Sequence, residues 1–243
     1  MKKHIYLSLL AIIAIFFSCK DNSEFEEQLF TNEEISTALR DCINLTIDTT
    51  LNVLCVVDTI NEKYGFYHFE NGAYRIELPA AAKAMVDTLK AIPDMHYSDT
   101  ISALIFDMNR AAEKCGNRLK QFWNPIVKEM IFPNPTLILR GGDNAITNHV
   151  RETRQWELHA ALVSSILIEH FNDLNIITRW NNLQEIYFDE TGIFSSIDIL
   201  TPAAQQMANG LFKRMALAEE DIRKNPELQG PSNGLLHRVF ATL

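Results

Sequence analysis

The sequence predicts an all-α fold: a mostly helical single domain, built as a multi-helix bundle, with at most a small β-hairpin near residues 65–78. Three observations predict it. Apolar residues recur three and four apart over long windows, as in Ile35, Ala38, Leu39, Cys42 and Leu45, and again in Ile101, Leu104, Ile105, Met108, Ala112 and Cys115. Helix-boundary pairs punctuate these windows, notably Asn134-Pro135, Thr201-Pro202 and Asn225-Pro226. One short stretch alternates instead: Tyr74, Ile76 and Leu78 with Arg75 and Glu77, after Asn71-Gly72.

Order should begin at "LFTNEEIS". Thr31 and Glu34 have capping-box spacing, and Phe30 and Ile35 have the spacing of a hydrophobic staple. The helix that follows runs toward Val57. Next comes the hairpin or extended loop, then a helix over 79–90 and another over 99–115. Gly116-Asn117 turns the chain, and the next helix reaches Ile131, with Pro125 expected to kink it. A short helix from Pro135 ends at Arg140. A helix after Asp143 should break near Thr153 and resume to Phe171. The stretch 172–196 has the weakest pattern, with a turn at Gly192. Thr201-Pro202 opens a helix through Lys224, and Leu235, Leu236, Val239 and Phe240 mark a terminal one.

The first residues carry a separate message. Lys2 and Lys3 precede an apolar run over 5–17 that ends in Phe16-Phe17-Ser18-Cys19. A basic start, an apolar stretch too short for a comfortable membrane span and a small residue before cysteine read as a lipoprotein signal. Residues 1–18 are then a signal peptide, Cys19 the lipidated first residue, 19–28 a tether, and 29–243 the domain. The expected location is the cell envelope, as an outer-membrane lipoprotein held to the membrane through Cys19. Losing Lys2 and Lys3 takes the formal charge from −9 to −11. Such an acidic chain without a basic stripe argues against nucleic acid as a partner.

Cys42, Cys55 and Cys115 show neither a CxxC pair nor zinc spacing and read as buried thiols. His159 and His170, eleven residues apart, are too distant on one helix to share a metal. No catalytic motif, metal set or cofactor signature is evident. "ILRGGDNAITNHVRET" admits two readings. As a corner, Gly141 takes a left-handed position and Asp143 caps the next helix. As an anion cradle, that helix N-terminus holds the ligand with Arg140 and Arg151, although Asp143 would repel it.

"DMNRAAEKC", "LRGGDNAIT", "RET" and "GLFKRMALAEEDIRKNP", with "LLHRVF" beyond, resemble in order and spacing the exported bacterial proteins of domain-of-unknown-function family 4197. The resemblance covers residues 29–240 and implies one helical domain with no assigned activity. Positions matching the family pattern include Asn109, Arg110, Glu113, Gly141, Gly142, Asp143, Thr147, Arg151, Gly210, Glu219, Arg223 and Pro226. Trp156 and Pro125 depart from it.

On the 99–115 helix, Asn109, Arg110 and Glu113 lie off the main apolar stripe. They form either a buried polar network, with Arg110 or Arg151 paired to Glu113 or Asp143, or the wall of a ligand pocket. The candidate binding residues are therefore Asn109, Arg110, Glu113, Asp143, Thr147 and Arg151. A non-catalytic binding protein, for a small amphiphile or another envelope protein, is the leading expectation. An enzyme using these groups on a small anionic substrate is the alternative.

Overall fold

In the computed structural model, residues 30–58, 60–93 and 96–243 are described. The expected signal peptide and tether, with Cys19 between them, lie outside the described residues.

Two long helices form the centre. α1 (Asn32–Leu54) begins where the capping-box spacing places a helix start. Its buried side chains Ile35, Ala38, Leu39, Cys42, Thr46, Ile47 and Leu51 repeat at three and four residues, so one stripe is removed from water. α10 (Leu200–Lys224) packs along it. Ala203, Ala204, Ala208 and Ala218 thin the α10 surface, while Met207, Leu211, Phe212 and Met215 fill the space between. Asp198 accepts the Leu200 N–H at 2.8 Å and so caps the start of α10.

The other elements cover this pair. α2 (Gly65–Gly72) and α3 (Lys83–Ala91, after a 3₁₀ turn at Ala80–Ala82) lie against α4 (Tyr97–Lys114). α5 (Gly116–Lys128) rests on α1 through Leu119, Trp123 and Val127, and runs through Pro125 without ending there. α6 (Pro135–Leu139) is capped by the Asn134 side chain, which accepts the Leu137 N–H at 3.1 Å. α7 (Ala145–Ala161) covers α10. α8 (Leu167–Asp173) and α9 (Ile176–Thr191) pack on α4, and α11 (Leu235–Phe240) closes on α1. The uncertain stretch 172–196 is thus largely helix, ended by Gly192 at φ 69°. Among the described residues no helix is long and apolar enough to cross a membrane.

One alternative is settled and two expectations are corrected. Of the hairpin and the extended loop at 65–78, the extended loop forms and the hairpin does not. Asn71-Gly72 does turn the chain, with Glu70, Asn71 and Gly72 all at positive φ, but helical backbone precedes it, so the extended segment 74–78 has no partner strand. The side chain of Asn109 takes that place. Its Oδ1 accepts the Ile76 N–H at 2.8 Å, and its Nδ2 donates to the Ile76 carbonyl at 2.8 Å. Gln206 of α10 does the same one residue on, accepting from Glu77 N at 3.0 Å and donating to Glu77 O at 2.9 Å. An amide side chain carries one donor and one acceptor side by side, as a neighbouring strand would.

The first correction concerns the helix after Asp143. It runs unbroken through Thr153, whose hydroxyl donates to the His149 carbonyl at 2.8 Å within the helix. The irregularity comes later, as a π-helical turn at Leu162–Ile166 that leads into α8. The second concerns Gly141, which is not among the positive-φ glycines. A Cβ there would lie 2.6 Å from the Ala145 Cβ, so close packing excludes a side chain.

Asn109 and Ile76 are both fully buried. Replacing Asn109 with Ala strands an N–H and a C=O, each costing about 1–3 kcal/mol. The expected outcome for Asn109→Ala is a loss of roughly 3 kcal/mol in urea unfolding. An unchanged midpoint would mean that water replaces the amide.

Candidate functional site

The six candidate residues separate into two groups, and no hydrogen bond or ion pair between the groups is found among the described residues. The first group surrounds Glu113 on α4. Its Oε1 accepts the Tyr67 N–H at 3.1 Å, an unpaired donor of the first turn of α2, and its Oε2 accepts from Arg110 Nη1 at 2.5 Å. Gly65 makes room: its φ is +89°, and a Cβ there would stand 2.3 Å from the carboxylate oxygen. Arg110 also reaches the Asp58 carbonyl at 3.4 Å and lies over the Phe106 ring at 4.7 Å.

The Asp58 carboxylate accepts the backbone N–H groups of Ile60, Asn61 and Lys63. These bonds, Asn61 first, hold its carboxyl below the ordinary range. Burial, the dominant influence, pushes the Glu113 carboxyl above its ordinary 4.5, partly offset by the Tyr67 N–H and by Arg110.

The second group answers the question posed by "RGGD". Asp143 is not the helix cap. The residue before α7 is Asn144, whose side chain makes no cap bond. Glu219 of α10 takes the position instead, accepting Ile146 N at 3.0 Å and Thr147 N at 2.7 Å. Arg223 holds that carboxylate through Nε at 2.8 Å and donates to the Leu139 carbonyl at 2.7 Å and to Ile138 O at 3.3 Å. One i,i+4 pair on α10 therefore closes the end of α6 and the start of α7 together. The anion site at this N-terminus exists, and the protein's own carboxylate fills it.

Asp143 is displaced to the surface, where Lys224 pairs with it at 2.8 Å. Thr147 is buried and contributes its backbone N–H. Arg151 is exposed, lies 3.4 Å from Asn209 Oδ1 and sits 6.0 Å from the Phe212 ring centroid. The expected pairing of Arg110 with Glu113 is present. The alternative pairings of Arg151 with Asp143 or Glu113 are not.

A family model described as Protein of unknown function (DUF4197) matches residues 29–241. The chain belongs to this family. No curated protein and no solved structure matches it. The family stretches quoted above are those that carry the buried clamps: Asn109, Arg110 and Glu113 in one, Thr147 in another, Glu219 and Arg223 in a third.

The chemistry available at these clamps is narrow. Glu113 and Glu219 are at most 1 % exposed and are already bonded to N–H groups and an arginine, so neither is placed to exchange protons with a substrate. Burial pushes the Cys42 and Cys115 thiols up to about 12 and Cys55 well above its ordinary 9, which keeps them protonated and weakly nucleophilic. Among the described residues no three His, Cys, Asp or Glu side chains gather as a metal set.

The open spaces lie elsewhere. One of about 530 Å³ runs between α9 and the extended segment 193–198, lined by Asn181, Gln184, Glu185, Phe188, Asp189 and Phe194. Gln184 Oε1 accepts Ser195 Oγ–H at 2.9 Å and Ile197 N–H at 2.6 Å, while Trp180 Nε1 donates to the Ile197 carbonyl at 2.6 Å. These bonds fix the far wall. Sequence reasoning missed this groove because Phe188 and Phe194 sit in the stretch with the weakest pattern. Two phenylalanines on either side of a Gly192 turn were the available signal.

Two predictions follow from the clamps. Glu219→Ala leaves Arg223 and two helix N–H groups buried without their anion, a loss of about 3–5 kcal/mol in chemical unfolding. Glu219→Leu with Arg223→Leu should recover part of it, and a double variant no better than the single one would refute the shared-clamp account. For Glu113, the folded pKa is raised, so the folded chain binds this proton more tightly than the unfolded chain. The stabilisation is complete below pH 4.5 and declines as pH rises through the folded pKa. The margin of wild type over Glu113→Gln in melting temperature should shrink across that window. A margin that widens with pH would show a carboxyl held below 4.5 instead.

Proposed function

We propose that this is a lipid-anchored protein of the bacterial cell envelope, non-catalytic, whose helical domain binds a small amphiphile in the α9 groove. The observation that carries the reading is the composition of that groove. Phe188 and Phe194, 48 % and 80 % exposed, line it beside the amide and carboxylate groups of Asn181, Gln184, Glu185 and Asp189. Large apolar residues gathered at a concave surface, with a few polar groups at one edge, fit a ligand with an apolar body and a polar or cationic head. A volume of about 530 Å³ lies in the range that such ligands occupy. The internal use of Glu113 and Glu219 supports binding over catalysis.

The anchor rests on the Ser18-Cys19 pattern at the end of the apolar run. Stable attachment takes more than one acyl chain.

Cys19→Ser should abolish incorporation of labelled fatty acid and move the protein from the membrane to the soluble fraction of a bacterial host. Persistent labelling would place the acyl chain on another residue. For the groove, native mass spectrometry of the protein purified from that host should show an adduct in the wild type that is lost in Phe188→Ser with Phe194→Ser. A bare mass in both, or a protein partner retained by both, would remove the amphiphile from the α9 groove.

A further inference from the structure

Two smaller clefts open on the outer face of α10, away from the α9 groove, and they adjoin. One, about 190 Å³, is lined by Arg151, Trp156, Gln205, Asn209 and Phe212. The other, about 230 Å³, is lined by Tyr74, Arg75, Gln206, Asn209, Gly210 and Lys213. Asn209 belongs to both, so the two form one double cleft.

The double cleft carries the charge opposite to that of the chain. The formal charge is −9, yet Arg75, Arg151 and Lys213 make no ion pair among the described residues. Each lies against an aromatic ring instead: Arg75 over Tyr67 at 4.1 Å, Lys213 over Tyr74 at 4.7 Å, and Arg151 by Phe212 at 6.0 Å. A ring face attracts a cation without neutralising it, so donor capacity remains, in Arg75 beside the long bonds that its Nε and Nη2 make to the Tyr67 carbonyl at 3.4 Å.

Asn209 Oδ1 accepts from Arg151 at 3.4 Å and from Gln205 at 3.3 Å, which turns its amide N–H₂ away from both. Tyr74 lines the second cleft and is 4 % exposed; its hydroxyl has no hydrogen-bond partner and lies in the field of Glu70 and Arg214, outside the cleft lining. Trp156, 73 % exposed, stands at the rim of the first cleft.

We infer that the double cleft is a binding site for a phosphate-bearing ligand, distinct from the α9 groove. Arg151 and the Asn209 amide serve one side of the oxyanion, and Arg75 and Lys213 serve the other. Guanidinium, ammonium and amide donors together match the several acceptor oxygens of a phosphate. Trp156 offers a flat apolar face to whatever the phosphate is attached to. Helix N-termini, the usual backbone route to phosphate, are not needed, and that of α7 is already closed by Glu219. The phosphate has two possible sources, a soluble phosphate ester or the headgroup of an anionic lipid, and the same donors serve both.

The test uses the full chain in a neutral detergent, titrated with glycerol 3-phosphate and, separately, with short-chain phosphatidylglycerol, and followed by tryptophan fluorescence. Arg151→Ala with Lys213→Ala is the comparison, since both side chains are exposed and an unchanged melting temperature verifies its fold. The expected result is saturable binding weakened about ten-fold or more in the double variant, as loss of charge-assisted bonds requires. Binding of glycerol 3-phosphate identifies a soluble ester as the source, and binding of the lipid alone identifies a headgroup. No saturable binding of either probe, or equal affinity in the double variant, overturns the proposal. The Phe188 and Phe194 variant should bind both probes as the wild type does, so failure here leaves the amphiphile reading to its own test.

Discussion

Every buried backbone N–H and C=O requires a partner, and in this protein that requirement governs how the non-helical chain is placed. With no strand among the described residues, extended segments are held by side chains projecting from helices. Asn109 and Gln206 grip Ile76 and Glu77 from α4 and α10, and Gln184 and Trp180 grip Ile197 from α9. Arg40 of α1 reaches the Met130 carbonyl. Such a bond demands one position on one helix, so each clamp also fixes how its helix is rotated. The α9 groove inherits its far wall from this arrangement.

The two buried carboxylates extend the same logic to helix ends. Glu113 and Glu219 each sit at a helix N-terminus with an arginine from their own helix, Arg110 three residues earlier and Arg223 four residues later. The charges neutralise each other locally, and the N–H groups replace the water that was lost. These pairs hold α2 against α4 and α7 against α10. That is a reason for the sequence to place Asn, Arg, Glu and Thr where a bundle would otherwise carry Leu. It also explains why residues that look like an active site in the sequence do not line the open clefts, Arg151 excepted.

The sequence revealed whatever is decided within one helix. α10 was legible from the Thr201-Pro202 start and the Asn225-Pro226 stop, α6 from Asn134-Pro135, and the Arg110–Glu113 pair from its spacing. What escaped depends on contacts across long stretches of chain. The choice between hairpin and loop at 65–78 was not legible because the partner of Ile76 is a side chain 33 residues away. Asp143 looked like a cap because Glu219, 72 residues from Thr147, could not be seen to arrive there. The double cleft was missed: Arg151, Trp156 and Gly210 drew notice for other reasons, and no pattern in the sequence marked Gln205, Asn209 or Lys213.

The wide turn at Leu162–Ile166 sets the phase of the helices on either side. A π-helical turn takes up about one extra residue, which is worth about 100° of rotation. Counted from Leu158, it swings Leu167 and Phe171 back toward the side from which Leu158 packs, and all three are fully buried. The extra length sits at Ser164 and Ser165, both exposed. A chain one residue shorter here would run as ordinary α-helix and still present Phe171 to the core. Among helical positions where loss of a residue would normally scramble everything downstream, the wide turn is one that can absorb it.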